Sequence, residues 1–215
     1  MLKRAFLFDM DGVIVDNMAV HAEAWRIFFR RHGLRINLAE FHERTAGMPS
    51  HEVLVYYFKR PVTKKEAAAL TAAKEKAYQK LYKAHMAPLK GLIKFLKSAK
   101  ALGLKLGVGT GGAETNVDFV LDGLRLRGYF EAVVSAKNVR RGKPHPETFL
   151  LLARRLGVAP SRCVVFEDSL LGEESARRAG MKVVAVTTSH PAANFKKSFL
   201  AVKNFSGIEP RLLLK

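Results

Sequence analysis

The chain has one cysteine, Cys163, in 215 residues, so no disulfide can close within it. That cysteine sits in an apolar run, where a buried, inert thiol is expected rather than a reactive one. No stretch approaches the ~18 consecutive apolar residues of a membrane-spanning helix. Met1-Leu2-Lys3-Arg4 meets Asp9 too soon to leave the apolar stretch of a secretory leader. A cytoplasmic protein with no membrane partner is the expectation. Acidic residues are scarce: 19 Asp and Glu face 37 Lys and Arg, a formal charge of +18. Such a charge is compatible with nucleic acid, anionic surfaces or acidic substrates, and equally with a solvated basic shell. Lys90, Lys94, Lys97 and Lys100 recur at helical spacing, as the exposed face of an amphipathic helix would. Basic residues are not interleaved with aromatics, and zinc-finger and RNA-binding signatures are missing, so no specific nucleic-acid partner is expected. There are no internal repeats or low-complexity segments.

What is there is an ordinary globular composition, 48% hydrophobic and 26% charged, in two kinds of pattern. A strand is predicted at 4–9. From about residue 17 to 86 the pattern is helical, with candidates His21 to His32, Leu38 to Arg44, Ser50 to Phe58 and Lys64 to Met86. Pro49 and Pro61 punctuate them, and Ser50 and Thr63 stand where N-caps would. From Pro88 onward strands (104–109, 131–135, 162–167, 182–187, and a weaker one over Phe199 to Lys203) alternate with helices (near 91–102, 114–123, 146–156 and 170–179). Gly103, Gly157 and Gly180 mark helix ends. Such alternation predicts an α/β fold, a parallel sheet flanked by helices. The helical block reads as a cap inserted after the first strand. The predicted division is a core of 1–16 and 88–215 and a cap of 17–87.

Four segments carry chemistry. Phe6-Leu7-Phe8-Asp9-Met10-Asp11-Gly12 is an apolar run ending in two acids and a glycine, as a buried strand would at the carboxyl end of a sheet. Carboxylates crowded there repel and are desolvated, which implies a cation. Leu106-Gly107-Val108-Gly109-Thr110-Gly111-Gly112 is a second such run. Gly142-Lys143-Pro144-His145-Pro146-Glu147 puts a lysine in a proline-bounded loop before a helix. Val164-Val165-Phe166-Glu167-Asp168-Ser169 again ends in acids. In this order and context the four segments resemble the motifs of the haloacid dehalogenase superfamily, nearest the branch of β-phosphoglucomutases and sugar-phosphate phosphatases.

The resemblance implies a Rossmann-like core with a small helical cap that sets substrate specificity. It also implies an Mg²⁺-dependent phosphatase acting on a small phosphorylated metabolite. A monomer is expected. Asp9 would be the nucleophile, forming an aspartyl-phosphate, and Asp11 the general acid and base. Asp9, the Asp11 carbonyl and Asp168 would ligate Mg²⁺, with Glu167 at the edge of the site, directly or through water. Without the other motifs, Glu167 and Asp168 would read as an acidic helix start. Thr110, the backbone N–H groups of Gly111 and Gly112, and Lys143 would hold the phosphoryl group.

In the cap, Asn17 lies at the crossing from core to cap. His21 matches a histidine that faces the active site in the mutase branch, against a plain surface histidine. Trp25, one turn on, is expected in the cap core. The loop Ala46-Gly47-Met48-Pro49-Ser50-His51 matches the specificity loop, with Gly47, Met48, Ser50 and His51 as candidate substrate contacts and Met48 either packing or a substrate wall. The chain departs from the mutase pattern at Ala46, Ser50 and Gly112-Ala113, where the mutases carry Lys, Arg and a Ser-Lys pair. A second anion site is thereby lost, and Glu114 nearby would add repulsion, unless His51, Arg140 or Arg141 compensates. Hydrolysis is therefore favoured over phosphohexomutase activity, with inorganic pyrophosphatase and a non-catalytic nucleic-acid binder as further alternatives.

Overall fold

The computed structural model describes residues 4–45 and 48–214. The chain divides into two compact units, residues 1–16 with 87–215, and residues 17–86.

The first unit is built on six strands: β1 (Ala5–Phe8), β2 (Lys105–Gly109), β3 (Ala132–Val134), β4 (Cys163–Glu167), β5 (Lys182–Val186) and β6 (Leu200–Val202). They form one sheet in the order β3-β2-β1-β4-β5-β6, and every pairing is parallel. Helices α5 (Leu92–Ala101), α6 (Glu114–Gly123), α7 (Glu147–Leu156) and α8 (Leu170–Arg178) connect them. β1 is apolar throughout because both its faces are covered. Ala5 and Leu7 join Phe149, Leu152, Cys163 and Val165 on one side. Phe6 and Phe8 meet Phe95, Phe166 and Phe205 on the other. Gly107 and Gly109 let α7 approach the sheet closely, since a Cβ on Gly107 would come within 2.8 Å of Leu152. Gly103, Gly157 and Gly180 end helices at φ of +72°, +63° and +73°.

Strand order reverses at β1, so the chain leaves β1 and β4 over a crevice at the carboxyl edge of the sheet. Phe8 pairs with Val108 on one side and Phe166 on the other, and the Asp9 N–H extends the ladder to the Phe166 carbonyl at 2.9 Å. Beyond Asp9 the chain curls tightly. Ile14 N–H donates to the Met10 carbonyl at 2.8 Å, and Gly12 N–H to Val15 at 2.7 Å.

The second unit packs α1 (Met18–Arg31), α2 (Leu38–Thr45), α3 (Ser50–Phe58) and α4 (Lys64–Tyr82) around Trp25, Phe28, Phe29, Phe41 and Leu54. Thr63 caps α4, accepting from the Glu66 N–H at 3.2 Å. Ser50 is no cap: it is the first residue of α3, and Pro49 occupies the N-cap position. Asn37 caps α2 through bonds to the amides of Ala39 and Glu40. α4 stops at Tyr82 rather than Met86, and the chain is soon extended, with Leu89 N–H bonded to the Ile14 carbonyl at 2.8 Å.

Candidate active site

Four loops at the carboxyl edge of the sheet assemble the site. Asp9 follows β1, Thr110 follows β2, and Asp168 follows β4, whose last residue is Glu167. All four side chains are buried. Oxygens of Asp9, Glu167 and Asp168 lie within 4.8 Å of one another. Asp11 is less buried, and its carboxylate lies beside Gly112, where an added Cβ would be 3.5 Å from Oδ2. Thr110 is tied to β3 by its N–H on the Val134 carbonyl at 2.9 Å, and its Oγ1 accepts the Gly112 N–H at 2.9 Å. The Gly112 amide is thus engaged within the turn instead of being left for a ligand. A side chain on Gly111 would meet nothing within 4 Å, so this part of the loop is open.

Lys143 reaches the acids from the loop before α7. Its Nζ donates to Asp9 Oδ1 at 2.8 Å and to Glu167 Oε1. It also lies 5.0 Å from the Phe149 ring centroid. The loop is held from within: Glu147 accepts the amides of Arg140 and Arg141 at 3.0 and 3.1 Å, and Ser175 from α8 donates to the His145 carbonyl at 2.8 Å. The Lys143–Pro144 peptide bond is cis.

Glu167 lies deep in the site. It is fully buried because it is still part of β4. One oxygen takes Lys143 and the other takes the Ser169 N–H and hydroxyl, both at 2.9 Å. Gly172 makes room for it: a Cβ there would lie 1.9 Å from the Glu167 carboxylate. Gly12 does the same for Asp168. Its φ of +78° suits glycine, and a Cβ would lie 2.0 Å from Asp168 Oδ2. Sequence reasoning missed Gly172, Ser175 and two residues after β5: Ser189, which donates to Asp168 Oδ2, and Thr188, which donates to the Gly12 carbonyl at 2.6 Å.

The cluster is short of positive charge. Two like charges no more than 4.8 Å apart repel by about 3 kcal/mol or more at an effective dielectric of ~20. Burial pushes the Asp9 carboxyl up to about 7 against the pull of Lys143, with Glu167 and Asp11 adding to the rise. Burial also raises Asp168 well above the usual carboxylate range, reinforced by Glu167 and Asp9. Burial opposes the charge on Lys143, but Asp9 and Glu167 outweigh it and hold the ammonium above its usual range. One ammonium among several carboxylates leaves a net negative, all-oxygen donor set, which fits a hard divalent cation of the Mg²⁺ type.

Within the cap unit, Asn17 is buried and donates to the Tyr78 hydroxyl at 2.6 Å. His21 is no surface histidine. It stacks on Tyr78 at 3.8 Å, and its Nδ1 lies 3.2 Å from Lys74 Nζ, which pairs with Glu75 at 2.6 Å. Trp25 lies in the cap core. Met48 is exposed, Ser50 is half-buried, and the His51 ring is engaged by the Val62 carbonyl at 2.8 Å. Ala46 and Gly47 lie outside the described residues. Glu114 is paired with Lys137, so its charge is offset in a way the sequence did not reveal. Arg140 and Arg141 are exposed.

Residues 3–180 match the family model of the haloacid dehalogenase-like hydrolases. The chain belongs to this family. Among curated relatives of this hydrolase, fructose-1-phosphate phosphatase YqaB of Escherichia coli is 36% identical over 84% of the chain and 94% of its own length. The phosphorylated carbohydrates phosphatase of Thermotoga maritima is 30% identical over 83% of the chain and 82% of its own length. Among solved structures, β-phosphoglucomutase from Clostridium difficile superposes with a TM-score of 0.85 at 28% identity, covering 99% of this chain and 96% of that one. A family IA hydrolase of Entamoeba histolytica superposes at 0.92 and 23% identity, covering 98% and 97%, and shows the shared fold.

Proposed function

We propose that this hydrolase is an Mg²⁺-dependent phosphatase of small phosphomonoesters, foremost sugar phosphates, working through a phosphoaspartate on Asp9. One observation carries the reading: a buried carboxylate, Asp9, lies 2.8 Å from the half-buried ammonium of Lys143, inside a cluster of further carboxylates. The names of the phosphatase relatives support the substrate class.

Asp9 attacks phosphorus, forming an acyl-phosphate bond as the ester P–O bond breaks. Asp11, the more exposed acid, gives its proton to the departing oxygen. It then takes a proton from water, whose oxygen bonds to phosphorus as the bond to Asp9 breaks. Phosphate leaves, and Asp9 and protonated Asp11 are regenerated. Lys143 faces the charge that builds on the phosphoryl oxygens, and Thr110 with its glycine turn orients the group. Asp9, Asp11 and Asp168 would hold Mg²⁺, which supplies Lewis-acid polarisation of the phosphoryl group when bound. Glu167 serves chiefly to fix Lys143. Selection among sugars is assigned to the cap.

A mutase would need a second anion site to hold a bisphosphate in two orientations. Gly112, Ala113 and Ser50 bring no positive charge to the positions where mutases carry theirs, which favours hydrolysis. The test is phosphate release across a panel with Mg²⁺ and with chelator. The panel includes fructose 1-phosphate, hexitol phosphates, β-glucose 1-phosphate and pyrophosphate. Metal-dependent release from sugar phosphates is expected. Glucose 6-phosphate formed from β-glucose 1-phosphate without phosphate release would replace the phosphatase reading with a mutase. Turnover of pyrophosphate alone would overturn the substrate class.

A further inference from the structure

Asp168 is held by a loop that none of the four sequence motifs includes. β5 pairs beside β4, with Glu167 opposite Ala185, so the chain leaving β5 emerges next to Asp168. Thr187 anchors that segment to β6, its N–H on the Val202 carbonyl at 2.8 Å. Thr188 Oγ1 then donates to the Gly12 carbonyl at 2.6 Å, tying it to the turn that carries Asp9 and Asp11. Ser189 Oγ donates to Asp168 Oδ2. That same oxygen sits against Gly12, where a Cβ would come within 2.0 Å. Oδ2 is therefore enclosed between a glycine and a hydroxyl, which fixes the plane of the carboxylate. A carboxylate fixed in that plane presents its other oxygen to a ligand with little rotamer freedom left to lose.

We propose that Ser189, seconded by Thr188, is the positioning residue that orients Asp168 for the divalent cation. The inference rests on the cation reading of the acidic cluster and assigns to the loop after β5 a part in metal affinity. Ser189 does not contact the reacting atoms. Its effect belongs in how tightly the cation is held, not in the chemical step.

The test is titration calorimetry of the substrate-free protein with Mg²⁺, and separately with Mn²⁺. Ser189→Ala should weaken binding about tenfold, in the range found for groups that support a metal ligand. Ser189→Thr keeps the hydroxyl and should restore most of the affinity. In turnover, the Mg²⁺ concentration for half-maximal rate should rise by the same factor in Ser189→Ala, while kcat at saturating Mg²⁺ stays near wild type. Wild-type affinity in Ser189→Ala overturns this proposal alone. Equal weakening in the alanine and threonine variants marks a packing role and also overturns it. Absence of divalent binding by the wild type overturns the cation reading and this proposal together.

Discussion

An alanine at position 172 sets helix propensity against packing. Gly172 is the third residue of α8, and in an ordinary helix Gly→Ala stabilises by about 1 kcal/mol. Here the new Cβ would lie 1.9 Å from the Glu167 carboxylate. Glu167 is fully buried and cannot withdraw without loosening its bonds to Lys143 and Ser169. Overpacking costs about 1–3 kcal/mol, and losing one hydrogen bond to a charged group costs about 1.5–3 kcal/mol. Set against the propensity gain, the net loss is about 1.5–5 kcal/mol. For a chain of this size that lowers Tm by about 3–20 °C. Urea and thermal denaturation of Gly172→Ala would measure it. Gly128→Ala, where a Cβ meets nothing within 4 Å, should stay within about 0.5 kcal/mol of wild type. In a Glu167→Ala background the penalty of Gly172→Ala should vanish, because the clashing group is gone. A Gly172→Ala protein as stable as wild type, or more so, would refute the packing argument.

Further outcomes concern Asp9, Cys163 and Phe29. Asp9 is raised in the folded state from 3.8 to about 7, chiefly by burial. It therefore favours the folded metal-free protein below about pH 4, and that contribution is lost as pH climbs through about 7. Tm of metal-free wild type should carry this fall and Asp9→Asn should lack it; identical profiles would count against the shift. Burial pushes the Cys163 thiol up to about 12, so a thiol reagent should label it only after unfolding. Phe29→Ala removes a fully buried ring packed on Trp25, Phe28 and Tyr57 and should cost about 3–5 kcal/mol, read by denaturation.

Much of the core was legible because parallel strands covered on both faces leave unbroken apolar runs. The runs ending at Asp9 and Glu167 mark where those strands meet the crevice. The Gly-Lys-Pro loop was legible because a proline-flanked lysine before a helix has few other readings. Ser189 and Thr188 were not legible, since only the pairing of β5 beside β4 brings them to Asp168. Gly172 looked like one more helical residue until a buried carboxylate occupied the space of its side chain. Glu167 fell at the end of the predicted strand, but its bond to Lys143 joins segments far apart in the chain, which the sequence alone does not bring together. Glu114 read as repulsive because its partner, Lys137, follows a different strand. Asn37 could have been found, being an asparagine placed just ahead of an amphipathic helix.

The most direct test of the account is acid quenching of wild-type protein during Mg²⁺-dependent turnover of fructose 1-phosphate, followed by mass spectrometry of the peptide containing Asp9. The account predicts one phosphoryl group on Asp9, and neither adduct nor phosphate release in Asp9→Asn. Phosphate release at the wild-type rate by Asp9→Asn, or an adduct on another residue, would contradict it.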